Sequence, residues 1–274
     1  MTKPTQALIL DFDGLIANTE MLWLAVLTKL YQSHSQELPY ERYVESIGGT
    51  LHDFDPFQDL AARCGTISAA KLENQGEHLF RTRMAHEAPL PGVRRLVTEA
   101  KRRGLPLGIA SSSKAASVVP YLHQFGLHRS FTAIVTAEDV THTKPAPDLY
   151  LLAARRLGVD PRRIVAFEDS SRGVQAAKAA GAFCVAVPHT LTRWHDLTAA
   201  DLHLDSLTQC DLDDLLTRTT RRPPAETRVK RLGDHPLGAQ EPNDPGHVSA
   251  VSPLTTRHFG GSPPQARKGR SRHG

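Results

Sequence analysis

Asp11 and Asp13 stand one residue apart, directly after the apolar run "ALIL" of residues 7–10. A short apolar run of this kind reads as a buried strand, so its end would deliver two carboxylates to one place. Further along, three more segments carry polar groups at the ends of apolar runs. "ASSSK" holds Ser111, Ser112, Ser113 and Lys114, "THTKPAPD" holds Lys144, and "FEDSSRG" holds Glu168 and Asp169.

Hard oxygen ligands without histidine or cysteine among them suit Mg²⁺, which binds through one or two carboxylates together with substrate phosphate. A carboxylate can also attack phosphorus, giving an aspartyl-phosphate and splitting one difficult step into two. Phosphoryl transfer needs in-line positioning and charge neutralisation. A metal, a lysine and hydroxyl or backbone N–H donors supply the latter. On an extended chain Asp11 and Asp13 share a face, and Gly14 permits a turn that brings Asp13 toward the leaving-group oxygen as general acid/base. Singly these signals are weak: an Asp-x-Asp pair is common, a serine triplet is usually a loop, and Glu168–Asp169 could merely cap a helix. Their strength is in their order, each at the end of a strand.

The positioning elements follow from the pattern. Apolar runs at 7–10, 105–111, 133–136, 163–167 and 183–187 read as buried parallel strands. Helical patterns fill 93–102, 114–124, 147–157 and 171–180, the third with Asp148 in its first turn and Gly158 at its stop. Strand and helix in alternation predict an α/β fold with a doubly wound parallel sheet, in which functional groups gather outside the strands' carboxyl ends. From about Thr19 to Ala88 the alternation stops, and only helical patterning is present. This predicts an all-helical insertion of about 70 residues. The expected organisation is a Rossmann-like core of residues 1–18 and 89–217, a helical cap of residues 19–88, and a tail of residues 218–274.

Composition bounds the function classes. The 274 residues are 40% hydrophobic and 23% charged, as in a soluble globular protein. No apolar stretch approaches the ~20 residues of a membrane helix, and the N-terminus lacks a signal-peptide pattern, so a cytoplasmic protein with no membrane partner is expected. Cys64, Cys184 and Cys210 form no metal or disulfide spacing. The net charge of +4 belongs to the tail. Residues 221–274 hold ten basic and four acidic residues, eight prolines and seven glycines, while the rest holds 23 basic and 25 acidic. Such a tail is expected to be disordered. Only its basic end could touch nucleic acid, and it is assigned no function.

"DFDGLIANTE", "ASSSK", "KPAPDLY" and "FEDSSRGVQAAKAAG" resemble the four motifs of the haloacid dehalogenase-like hydrolase superfamily, and the helical insertion resembles the cap of its phosphatase and β-phosphoglucomutase-like branch. The resemblance covers residues from about 5 to 217. It implies Asp11 as nucleophile and metal ligand, with Asp13 as acid/base and a metal ligand through its carbonyl. It implies Ser111 and the Ser112 backbone as phosphate holders, with Lys144 neutralising the phosphoryl group and orienting Asp11. Asp169 would bind Mg²⁺, with Glu168 as an additional or water-mediated ligand. Ser113 and Lys114 match a stretch that contacts polar groups of the substrate.

Within that superfamily Asp13 argues against a dehalogenase, which needs no leaving-group acid. Lys29 and Lys71 offer no context for a Schiff base, which argues against a phosphonate cleaver. The mutase pattern would want histidine at position 23 and an arginine in the cap loop. The chain has Trp23 and "SIGGTLHDF" instead, so hydrolysis is favoured. Asn18 stands where relatives commonly carry an acid. The expectation is a monomeric Mg²⁺-dependent phosphatase of a small phosphorylated metabolite, such as a sugar phosphate or a phosphorylated flavin precursor, with Trp23, Thr50 and His52 facing the substrate. The alternatives are a phosphosugar mutase and a non-catalytic phosphometabolite-binding protein.

Overall fold

The computed structural model describes residues 5–47 and 54–221. Six parallel strands form one sheet: β1 (Ala7–Leu10), β2 (Leu107–Ala110), β3 (Ala133–Val135), β4 (Ile164–Glu168), β5 (Phe183–Ala186) and β6 (Leu202–His203). Their order is β3-β2-β1-β4-β5-β6. The chain therefore winds outward from β1, then returns to lay β4 against its other side, which makes the β1/β4 boundary the switch point where such sheets bind ligands. Strand β6 was not among the strands expected from sequence, since its two residues form no apolar run.

Alternation along each strand explains the two packed faces. Leu8, Leu10, Leu107, Ile109, Val165 and Phe167 share one core with α5 (Val93–Arg102), α6 (Ala115–Gln124) and α9 (Leu212–Arg221). Ala7, Ile9, Ala110, Ala166 and Cys184 share the other with α7 (Asp148–Leu157) and α8 (Ser171–Ala179). Asp148 lies in the first turn of α7 and Gly158 closes it in a left-handed conformation, as its sequence suggests. Helix α9 continues through Arg221, so residues 218–221 are helical rather than the start of the tail.

Between β1 and α5 the described residues contain no strand. Four helices occupy the interval: α1 (Thr19–Ser33), α2 (Tyr40–Ser46), α3 (Pro56–Cys64) and α4 (Ala69–Met84). Their starts are locally encoded: Asp55 accepts N–H bonds from Phe57 and Gln58, and Ser68 accepts one from Lys71. Leu27, Leu30, Tyr31, Tyr43, Phe57, Leu60 and Leu72 bury a separate apolar cluster among these helices. Phe80 and Met84 of α4 instead join the sheet's core, and Gln124 of α6 donates to the carbonyls of Met84 (2.9 Å) and Glu87 (3.0 Å). No described helix is long and apolar enough to cross a membrane.

Candidate active site

The site is built at the switch point. Leu10 pairs with Phe167, and the Asp11 N–H donates to the Phe167 carbonyl at 3.0 Å, so the ladder places Asp11 beside Glu168. The chain then reverses. Gly14 adopts φ +73°, its N–H donates to the Ala17 carbonyl at 2.9 Å, and Asp13 bridges to Ala17. This is the turn that Gly14 was expected to permit.

Lys144 arrives from the loop after β3 and is almost wholly buried. Its ammonium donates to the Asp11 carboxylate and lies 2.6 Å from Glu168 Oε1. Glu168 also accepts from Tyr150 Oη at 2.5 Å. Burial would lower the Lys144 pKa, but Asp11 and Glu168 hold it well above the ordinary lysine value. Burial raises the Asp11 carboxyl well above the usual range; Lys144 draws it back, while Glu168, Asp169 and Asp13 push it higher. Glu168 is raised chiefly by burial, against the same lysine. Glycine makes room for this carboxylate: a Cβ on Gly173 would sit 1.9 Å from Glu168 Oε2.

Asp13 is held by three hydroxyls. Thr19 Oγ1 donates at 2.8 Å to Oδ1, while Ser111 and Ser113 Oγ donate at 3.1 and 2.7 Å to Oδ2. The Ser113 side chain thus engages Asp13, a contact the resemblance did not imply. The Ser113 N–H donates to Ser111 Oγ at 3.0 Å, and the buried Ser112 hydroxyl has no partner. Lys114 is exposed at the start of α6. Asn18 precedes α1 without capping it through its side chain.

Trp23 is partly buried among aromatic rings. Its ring stacks on Phe80 at 4.4 Å and meets Phe57 edge-on at 6.1 Å, and it packs against both the sheet's core and the cluster within the helices. Thr50 and His52 lie outside the described residues.

Two residues of the site went unrecognised in the sequence, Glu20 and His189. His189, on the loop after β5, places Nε2 2.6 Å from Glu20 Oε2 and 3.1 Å from Asp169 Oδ2. Burial opposes a charged ring, yet the adjacent carboxylates of Asp169 and Glu20 raise the His189 pKa to about 10. Glu20 closes the first motif, "DFDGLIANTE", but was given no role there, and His189 belongs to no motif; only "VPH" at the end of an apolar run could have pointed to it.

Asp11, Glu168 and Asp169 bring carboxylate oxygens within 4.8 Å of one another, an arrangement that could hold a metal ion. The buried Asp169 Oδ2 has no hydrogen-bond partner, and an all-oxygen donor set fits a hard divalent cation. A cavity of about 390 Å³ bounded by Gly14, Leu90, His189, Arg193 and Ser206 adjoins the site, but Asp11, Asp13 and Ser111 form none of its wall.

A parallel sheet with buried carboxylates and a lysine at its switch point has known counterparts. The haloacid dehalogenase-like hydrolase family matches residues 8–187, and the chain belongs to it. The candidate phosphatase YhcW of Bacillus subtilis is 41% identical over 212 residues, covering 77% of this chain and 96% of that protein. Hexitol phosphatase B of Escherichia coli is 35% identical over 229 residues, covering 79% of this chain and 100% of that protein. The crystal structure of CbbY from Rhodobacter sphaeroides in complex with phosphate is similar at a TM-score of 0.62 and 30% identity, covering 75% of this chain and 96% of that chain. Within its family the chain is an enzyme of the phosphatase kind.

Proposed function

We propose that the chain is a Mg²⁺-dependent phosphatase that hydrolyses a small phosphorylated metabolite, of the sugar-phosphate kind, through an aspartyl-phosphate on Asp11. The observation that carries this reading is the pairing of Asp11 with Lys144 beside an Asp13 that three hydroxyls hold in place.

In the first step a carboxylate oxygen of Asp11 attacks phosphorus, the bond to the leaving oxygen breaks, and Asp13 gives that oxygen its proton. In the second, water attacks the aspartyl-phosphate, Asp13 takes the water's proton, and phosphate departs with Asp11 restored. Lys144 fixes Asp11 and offsets charge on the phosphoryl oxygens. Ser111 and the backbone at Ser112 supply donors to the same oxygens. A magnesium ion on Asp11, Asp169 and the Asp13 carbonyl would neutralise the charge gathering there. Glu168 already accepts from Lys144 and Tyr150, so its part is to hold the lysine.

Residues 19–88 are read as a cap that closes over the substrate and excludes water during the first step. Their own apolar cluster supports this, as does their attachment through the turn at Gly14 and the Leu90 N–H, which donates to the Ile16 carbonyl at 2.8 Å. Trp23, Thr50 and His52 remain the proposed specificity positions.

The test is phosphate release from a panel of phosphorylated sugars, polyols and flavin precursors, with and without EDTA. Metal-dependent turnover of one class is expected, and Asp11→Asn should abolish it. Turnover that persists in that variant would remove Asp11 from the nucleophile's role.

A further inference from the structure

His189 has one N–H at Nε2 and two carboxylates in reach of it. Glu20 Oε2 takes it at 2.6 Å. Asp169 Oδ2 lies 3.1 Å away and is left without a hydrogen bond, although Asp169 is only 2% exposed. Contacts within its own loop position the residue. The Leu191 N–H approaches Nδ1 at 3.3 Å, and the His189 N–H donates to Thr192 Oγ1 at 3.1 Å. The His189 carbonyl accepts from Thr192 and Arg193 at 3.1 and 2.9 Å.

We infer that Glu20 is a positioning residue for the metal ligand Asp169: by occupying the His189 N–H, it leaves Asp169 Oδ2 free for a divalent cation. The inference rests on the phosphatase reading above and assigns that site a control point. With Glu20 absent, the nearest acceptor for the same N–H is Asp169 Oδ2, and a hydrogen bond there competes with the cation for a lone pair.

Two further observations support the arrangement. A Cβ on Gly14 would lie 2.6 Å from Asp169 Oδ2 and 2.7 Å from His189 Nε2, so the chain keeps its smallest residue where these atoms meet. Glu20 belongs to the first turn of α1, and Leu191 is buried in the apolar cluster of the α1–α4 helices. Both sides of the contact are therefore tied to the proposed cap, and the contact requires that α1 be seated against the sheet edge.

The experiment follows Mg²⁺ alone, by the concentration dependence of the thermal upshift, without substrate. Glu20→Ala should raise the half-saturating Mg²⁺ concentration by about tenfold or more, the usual scale for ligand-orienting partners. Glu20→Gln, which keeps an acceptor oxygen, should retain most of the affinity. Removing the competing N–H in the double variant Glu20→Ala/His189→Asn should restore affinity to within about threefold of the parent. That rescue separates the inference from a general loss of packing or charge. The inference is overturned if Glu20→Ala binds Mg²⁺ like the parent, or if the double variant binds no better than Glu20→Ala. It is also overturned if the parent binds a second ion that His189→Asn removes, since Glu20, His189 and Asp169 would then themselves be ligands. Should the parent show no metal-dependent hydrolysis at all, the phosphatase reading fails, whatever these affinities are.

Discussion

Lys144 and Glu168 form a buried ion pair, Nζ to Oε1 at 2.6 Å, with both side chains at most 3% exposed. The same ammonium serves Asp11, so one cation supports two carboxylates that burial disfavours. Without it, both lose the attraction that lowers their pKa. Their folded values then rise further above the unfolded ones, the folded state binds the extra protons, and stability falls as pH rises. Lys144→Met is therefore expected to lose about 3–5 kcal/mol near pH 8, the scale for breaking a buried pair, and to regain much of it toward pH 5. Urea unfolding in EDTA at both pH values measures this, and an equal deficit at each would contradict it.

Asp169 contributes a buried, unpartnered oxygen to a crowd of like charges. Asp169→Asn removes one charge from that crowd. Relief of that repulsion opposes the lost attraction to His189, so the metal-free protein should change by no more than about 1 kcal/mol, about 2–4 °C in Tm at this size. The variant should also lose the Mg²⁺-induced upshift and its hydrolysis. Parallel thermal scans with Mg²⁺ and with EDTA test both halves, and a variant still stabilised by Mg²⁺ would remove Asp169 from the ligand set.

Ser113 donates one of three hydroxyl bonds to Asp13. Ser113→Ala leaves Thr19 and Ser111 in place and should lower kcat by about 3–10-fold, as expected when a charged acceptor loses one neutral donor. KM should change little, because the lost bond orients the acid rather than the substrate. A change confined to KM would favour the substrate-contact role that the family resemblance implied for this serine.

Gly173 lies against Glu168 so closely that any Cβ would overlap its carboxylate. Gly173→Ala should cost about 1–3 kcal/mol, the range for overpacking, and should reduce activity by displacing Glu168 from Lys144. Denaturation and turnover measured on the same preparation test this. A stable, fully active variant would mean that the helix and the carboxylate can part without consequence.

Much of this was legible in the sequence because it is local. Three apolar runs ending in Asp, Ser or Glu-Asp identified the edge where chemistry gathers, and the segment around Lys144 supplied the cation. The turn at Gly14 was legible because it joins neighbouring residues. The termini of α3, α4 and α7 follow from the short-range signals of Asp55, Ser68 and Gly158. Strand β6 left no such trace, since Leu202–His203 gains its strand character only from pairing with β5.

By itself, the sequence determined the alternating architecture, the interval of helices and the carboxylates at the strand ends, all features with a periodicity of a few residues. Only the tertiary structure decided which of those groups meet. Glu20 and His189 are 169 positions apart and Ser113 is 100 from Asp13, and no residue spacing predicts such contacts. They arise because β2 and β4 dock on either side of β1, and β5 beside β4, carrying their loops to one edge. Trp23 makes the same point: only the fold brings its ring against Phe57 and Phe80.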